Sequence, residues 1–303
     1  MNLQQMRYVA EVVRQGLRVS AAARALNTSQ PAVTKQLMQF ERELGAPVFV
    51  RERHRIVKLT PIGQRVVKLA QEVCLSIDTI RRISRESIEP GEGKIRIATT
   101  HAQAQFLLPA PIQRFSERFK HVHFELERAA PANIVSAVAS GDVDLGVMPG
   151  ADPTAKDVIF VTYRSFPRIV LLPIGHPLLR KKSVSLHMLA QCPIITTGPG
   201  LAGRTEVLSV FTASGIQPNI HLSAPDFDVV KVCVERGLGI AILPTYTYDR
   251  RRDKHIRSRD VSHLFPPSVT NVVLRRNSYL PKLVYQFLDL LIPGNWATKI
   301  SEN

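Results

Sequence analysis

Two stretches of this 303-residue chain carry polar side chains at spacings that could do recognition chemistry. In the first, Val33, Leu37 and Phe40 recur at i, i+4 and i+7 and define the buried side of a helix. Gln30, Ala32, Thr34, Lys35, Gln36 and Gln39 are left on the other side. Amides, a hydroxyl and an ammonium on one helix face can hydrogen-bond base edges and phosphates in a major groove. An ordinary helical hairpin with a solvated face satisfies the same pattern, so the hairpin alone leaves both readings open. In the second stretch, Ile97-Ala98-Thr99-Thr100-His101-Ala102-Gln103 is a strand ending in hydroxyls just before a helix. Thr196-Thr197-Gly198-Pro199-Gly200-Leu201-Ala202-Gly203-Arg204 is a second such junction, rich in glycine and closed by a cation. Strand C-termini and helix N-termini of open α/β sheets gather ligands, because backbone N–H groups there favour anions. Ala129-Ala130-Pro131 and Met148-Pro149-Gly150 are further candidates for the edge of such a cleft. Local helix capping is the competing role for Thr99 and Thr100.

Other chemistries find little support. The chain has no nucleophile elbow, phosphate loop, dinucleotide fingerprint or metal-ligand cluster, which argues against an enzyme and predicts neither cofactor nor metal. His101 has no second histidine or carboxylate at ligand spacing, so a hydrogen-bonding or lobe-contact role is expected. Cys74, Cys192 and Cys233 match no zinc spacing or disulfide framework and are expected to be buried small hydrophobes. The balance of 40 Lys+Arg against 25 Asp+Glu favours a polyanionic partner, nucleic acid before an anionic membrane. No basic-then-apolar leader and no long apolar run is seen, so a cytoplasmic protein in a reducing compartment is expected, with no membrane association.

The elements that must position the first stretch follow from periodicity and punctuation. Leu3, Met6, Tyr8, Val9, Val12 and Val13 form a helical stripe ahead of the hairpin. Ser20 is expected to cap the next, Ala-rich helix, and Ser29 or Thr28 the one after it, with Pro31 in its first turn. After the stop at Gly45, two apolar runs flank a charged tip at residues 52–55, the pattern of a β-hairpin wing. Arg51, Arg53, Arg55 and Lys58 are placed there to lie along a phosphate backbone and position the protein. Thr60-Pro61 starts a helix of about 28 residues, ~42 Å long. Its stripe of Val66, Leu69, Val73, Ile77 and Ile80 is too long for the small core ahead of it. Pairing with the same helix of a second subunit is the economical way to bury it. Residues 89–93 follow as a hinge.

From residue 94 onward strand and helix signals alternate, first over 94–147 and again after about Thr162. A βαβ rhythm implies mostly parallel sheets, here in two lobes around a cleft. The expected fold is therefore α/β with an N-terminal, helical winged helix-turn-helix, a long linker helix and a two-lobe domain. Its boundaries are 1–59, 60–90 and 91–303. The basic run at residues 248–254 is expected to be a solvated loop, with a tetramer or DNA contact as the lesser reading.

Leu3–Val13, the segment SAAARALNTSQPAVTKQLMQFERELGAPVFVR and the TPIGQ helix start together resemble the winged helix-turn-helix of LysR-type transcriptional regulators. The resemblance extends over nearly the whole chain and implies a two-lobe effector domain of the periplasmic-binding-protein type, with lobe I at about 91–162 and 268–303 and lobe II at about 163–267. It places Ser20, Ser29, Gln30, Pro31, Ala32, Thr34, Lys35, Gln36, Arg51, Arg53 and Arg55 at promoter DNA. It also implies a homodimer or homotetramer, with RNA polymerase as a further partner. KIRIATTHAQAQFLLP, DFDVVKVCVERGLGIAIL and VVLRRNSYL resemble the CysB/Cbl-like subgroup, regulators of sulfur metabolism and cysteine biosynthesis. Those proteins respond to sulfate, acetylserines or adenylyl sulfate. The resemblance implies an effector site at Thr99, Thr100, His101, Ala102, Gln103, Pro149, Ala202, Gly203 and Arg204. Ala102, Pro149 and Ala202 stand where the subgroup commonly has hydroxyls. Losing up to three hydrogen bonds of ~1.5–3 kcal/mol each to an anion predicts a different effector, a larger organosulfur or carboxylate compound. A LysR-type regulator of another pathway, answering an aromatic or carboxylate compound, is the alternative. An α/β enzyme or a solute-binding protein is the rival from another class.

Overall fold

The structure, a computed structural model, describes all residues except 54, 89–90, 199–201, 293, 295 and 297–303, and the side chains of 85–88 and 202. It divides into two compact units, Met1–Pro90 and Gly91–Asn303.

The first unit opens with α1 (Leu3–Arg14), α2 (Val19–Ala25) and α3 (Gln30–Leu44). The wing strands β1 (Phe49–Glu52) and β2 (Arg55–Leu59) follow, then α4 (Pro61–Ile88). A capping box starts α1, in which Asn2 Oδ1 accepts from the Gln5 N–H at 3.0 Å and Gln5 Oε1 accepts from the Asn2 N–H at 2.8 Å. Ser20 does not cap α2. Gly16 and Leu17 turn the chain through left-handed φ angles of 63° and 66° directly into the helix, so Arg18 is the cap residue and Ser20 lies one position inside, exposed. Ser29 caps α3 by accepting from the Ala32 N–H at 3.3 Å, and Gly45 ends that helix with φ 72°. Val9, Val12, Ala22, Val33, Leu37, Phe40 and Val48 interlock as the core. The TPIGQ segment has a structural reason. Thr60 Oγ1 caps α4 by accepting from the Gly63 N–H at 2.8 Å, and it donates to the Pro47 carbonyl at 2.7 Å. A Cβ on Gly63 would stand 2.0 Å from the Val48 carbonyl oxygen, so only glycine lets α4 start against the base of the wing.

The second unit has two lobes. Lobe I begins with β3 (Glu92–Thr99), α5 (His101–Phe106), α6 (Pro109–Arg118), β4 (His121–Arg128), α7 (Pro131–Ser140), β5 (Leu145–Pro149) and β6 (Val158–Phe166). The chain then enters lobe II with β7 (Arg168–Pro173), α8 (Leu186–Ala190), β8 (Ile194–Thr197), α9 (Ala202–Ala213), β9 (Ile220–Ala224), α10 (Phe227–Glu235), β10 (Ala241–Pro244) and β11 (Ile256–Asp260). It returns with β12 (Ser268–Arg275) and α11 (Lys282–Leu291). The lobe I sheet has the order β4-β3-β5-β12-β6, and lobe II has β10-β7-β11 beside β8-β9. Helices cover both faces of each, giving separate apolar layers on the two sides.

Three expectations change here. The chain leaves lobe I at Pro167 rather than near Thr162, because Val158–Phe166 pairs with the returning strand as far as Phe166 opposite Ser268. The sheets are mixed rather than mostly parallel: β3 is parallel to both neighbours, while β12 and β7 are antiparallel to theirs. The three cysteines are half-buried rather than buried, and burial pushes the Cys74 and Cys192 thiols up.

Candidate DNA-contacting face and effector cavity

Gln30, Pro31, Thr34, Lys35, Met38, Gln39 and Arg42 border an open groove along α3. Gln30, Pro31, Lys35 and Met38 are exposed, while Ala32, Thr34 and Gln36 are partly covered. The Thr34 hydroxyl donates to the Gln30 carbonyl at 3.0 Å, which leaves its lone pairs outward. Met38 and Arg42 extend the face beyond the residues the sequence pointed to, and their i, i+4 spacing from Thr34 was the available signal.

The wing is fixed to α3 by one carboxylate. Glu41 Oε1 accepts from the Val48 and Phe49 N–H groups at 2.8 and 3.0 Å, and its Oε2 pairs with Arg51 Nη2 at 2.7 Å. Burial alone would raise the Glu41 pKa, but the bonds from Arg51, Phe49 and Val48 outweigh it and hold the carboxyl below its usual range. Arg51 is therefore an internal tie rather than a residue extended toward phosphate, contrary to the sequence expectation. Arg53 and Arg55 are exposed, Arg53 with a left-handed φ of 45° at the tip, where His54 lies outside the described residues.

In the second unit a cavity of about 420 Å³ lies between the lobes. Lobe I contributes Thr100, His101, Ala102, Gln103, Arg128, Ala129, Ala130, Pro131 and Pro149. Lobe II and the return segment add Thr197, Gly203, Pro225, Asp226, Phe227, Pro244, Tyr246 and Ser268. The Thr100 hydroxyl donates to Gln103 Oε1, and Gln103 Nε2 donates to the Tyr246 hydroxyl oxygen at 3.2 Å, joining the lobes. Tyr246 is held edge-on against Phe166, ring centres 4.7 Å apart, and burial pushes its hydroxyl pKa well up. His101 Nε2 lies 3.4 Å from Asp228 Oδ2 across the lobes.

Of the predicted effector residues, Thr100, His101, Ala102, Gln103, Pro149 and Gly203 line this cavity. Thr99 does not. It is fully buried, and its hydroxyl donates to the Val147 carbonyl at 2.9 Å, tying β3 to β5. Arg204 does not either: its Nη1 donates to the Thr197 carbonyl at 2.9 Å and to Ser223 Oγ at 2.8 Å, bracing the ends of β8 and β9. The Ala202 side chain and residues 199–201 lie outside the described residues. The sequence reading left His101 without a carboxylate, yet chain folding brings Asp226 and Asp228 to it, with one ligand atom of each residue within 4.8 Å of the others. Asp226 Oδ1 also caps α10 through the Val229 N–H at 3.0 Å. Sequence spacing missed Arg128, Tyr246 and Ser268, because the residues opposite them are distant in the chain.

A winged helix-turn-helix unit and a two-lobe unit enclosing a small-molecule-sized cavity define a ligand-controlled DNA-binding protein. Comparison with known proteins gives the family. Residues 3–64 match "Bacterial regulatory helix-turn-helix protein, lysR family", and residues 89–294 match "LysR substrate binding domain". The chain is 35% identical over 293 residues to the HTH-type transcriptional regulator SsuR of Burkholderia cenocepacia, covering 97% of this chain and 95% of that one. It is 36% identical to CysB of the same organism, covering 97% and 94%. The solved cofactor-binding domain of the Cbl transcriptional regulator superposes with a TM-score of 0.66 at 29% identity, covering 71% of this chain and 94% of that domain. The chain belongs to the LysR family of DNA-binding transcriptional regulators and is a regulator with an effector-binding domain, not an enzyme. No helix among the described residues is long and apolar enough to cross a membrane.

Proposed function

We propose that this regulator controls genes of sulfur or organosulfur assimilation in the cytoplasm and answers an organic anion larger than sulfate. The carrying observation is the cavity: about 420 Å³, walled by Ala102, Pro131, Pro149 and Phe227 with polar groups at separate points. That volume lies in the ~300–1,000 Å³ range of organic-ligand sites, and its apolar wall gains nothing from a bare tetraoxyanion. Similarity to SsuR, CysB and Cbl supports the sulfur assignment. A carboxylate or aromatic effector is the second reading, favoured by the Phe227 and Tyr246 rings on that wall.

The working form is a homodimer or homotetramer. Leu69 and Ile80 on α4 are 60% and 65% exposed in the single chain, apolar surface that a second α4 would cover. Two reading heads then address half-sites about one helical turn apart or multiples of it. Effector binding changes the lobe arrangement, the DNA bend and, through these, contact with RNA polymerase. A mobility-shift titration on promoter DNA with sulfate, acetylserines, and aliphatic and aromatic sulfonates tests this. An organosulfur compound is expected to change the complex at concentrations where sulfate does not. A full response to sulfate alone would overturn the larger-effector reading.

A further inference from the structure

Polar groups without a protein acceptor lie at and behind the cavity wall formed by lobe II and the return crossing. Arg168 opens β7 at the crossing between lobes and is 1% exposed. Its Nε donates to the carbonyl of Pro266, on the returning crossing, at 3.1 Å, and its Nη2 pairs with Glu206 of α9. Its Nη1 makes no hydrogen bond among the described residues. That nitrogen stands 4.0 Å from where a Cβ on Gly203 would be, and Gly203 lines the cavity. Arg168 is not itself a lining residue; it stands behind Gly203, which has no side chain to cover that nitrogen.

Two hydroxyls share this wall. Thr197 is 5% exposed and Ser268 3%, and both line the cavity. Neither side chain has a hydrogen-bond partner among the described residues. The Tyr246 hydroxyl accepts from Gln103, so its own proton remains to be donated. A buried guanidinium N–H and three hydroxyls without acceptors would each cost stability if they stayed dry. Donors on one wall with no protein acceptor are satisfied by water or by a ligand, and an acidic group supplies several oxygens at once.

We propose that Arg168, Thr197, Tyr246 and Ser268 form a subsite that binds the acidic group of the effector, a sulfonate, sulfate ester or carboxylate. The inference rests on the cavity being the effector site. It makes the wall of lobe II and the return crossing the anion-binding end and leaves Ala102, Pro149 and Phe227 to the organic body. Because Arg168 also grips the returning crossing through the Pro266 carbonyl, the subsite sits where the lobes hinge, and filling it tightens both crossings.

Crystals of the full chain soaked with selenate give the direct test, since its anomalous signal locates the ion. Selenate is expected within hydrogen-bond distance of Arg168 Nη1 and at least one of the three hydroxyls. In parallel, sulfate is titrated against thermal unfolding at constant ionic strength set with chloride. Tyr246→Phe and Ser268→Ala are expected to weaken sulfate binding about tenfold each, with circular dichroism checking that each variant is folded. Gly203→Ala is a third variant, checked for folding in the same way. Its methyl sits at ordinary van der Waals distance from Arg168 yet covers Nη1, and it is expected to weaken sulfate by at least as much. Selenate seated only at Thr100–Gln103, selenate absent from the cavity, or unchanged sulfate affinity in the variants would each overturn the subsite. Failure of the sulfur assignment looks different: selenate occupies the Arg168 wall, while no organosulfur compound alters the DNA complex.

Discussion

The two recognition surfaces are built in opposite ways. The α3 face is an open surface, and its side chains come from one run of sequence between Gln30 and Arg42. The cavity is concave, and its walls bring Thr100 and Gln103 against Tyr246 and Ser268, far along the chain. The first surface depends on a small core beneath one helix, and the second on two crossings that hold two lobes in register. A surface of the first kind fails when its support fails, and it weakens in small steps as its exposed charges are removed. A surface of the second kind loses specificity through single buried polar groups, while its large cores keep the fold.

The largest effect that separates the two is expected from Phe40→Ala. Phe40 is 1% exposed beneath the DNA-contacting face, and such truncations cost about 3–5 kcal/mol. Calorimetry of the variant is expected to show the first unit melting early and the second unit unchanged. A single shared transition that shifts as a whole would show that the units do not unfold separately. Next comes Glu41→Gln, with an expected loss of about 2 kcal/mol, since charged hydrogen bonds are worth ~1.5–3 kcal/mol each and some survive in the amide. Glu41 has a depressed pKa in the folded chain. Its contribution is therefore present above the unfolded-state carboxylate pKa and lost as pH falls through the lower folded value. Urea unfolding of the first unit across the acid range is expected to show that loss in the native chain and a flatter profile in Glu41→Gln.

The same contrast explains what the sequence made legible. The hairpin, the Ser29 and Thr60 caps, the Gly45 stop and the α3 face are set by neighbours within about one turn, so periodicity and punctuation reveal them. Ser20 was misplaced because the left-handed pair Gly16-Leu17 starts α2 early, and nothing in a leucine signals positive φ. In the cavity, Thr100 and Gln103 were legible as a strand-to-helix junction. Arg168 was not, since an arginine at the head of an apolar strand carries no local sign of burial. Tyr246 and Ser268 become wall residues only because β12 returns beside β6 and the turn after β10 packs on Phe166. Arg204 misled for the same reason. A cation at a glycine-rich junction suits an anion, but two oxygens at the ends of β8 and β9 are nearer.

A middle-sized effect probes the cavity. Thr100→Val keeps the side-chain shape and removes the hydroxyl that donates to Gln103. The net cost of one such bond is about 1 kcal/mol. DNA affinity without effector is expected to be unchanged, while the effector titration shifts to higher concentration. An unchanged titration would move the effector off this junction and onto the opposite wall alone.

The smallest expected effects divide two arginines that the sequence treated alike. Arg53 is exposed at the wing tip, and its removal is expected to lower the salt slope of DNA binding by about 0.9 for each reading head on the DNA, one phosphate contact apiece. Arg51 is paired with Glu41 at 2.7 Å and only 28% exposed, so Arg51→Ala is expected to leave that slope in place and to lower the stability of the first unit. Lys35, exposed on α3, is expected to behave as Arg53 does. Plots of log affinity against log salt for the three alanine variants, set beside their unfolding midpoints, measure both quantities. If Arg51→Ala reduced the slope as much as Arg53→Ala, the ion pair would have to open on DNA. Glu41 would then hold the wing by its two backbone bonds alone, and the wing would be a part that rearranges on binding.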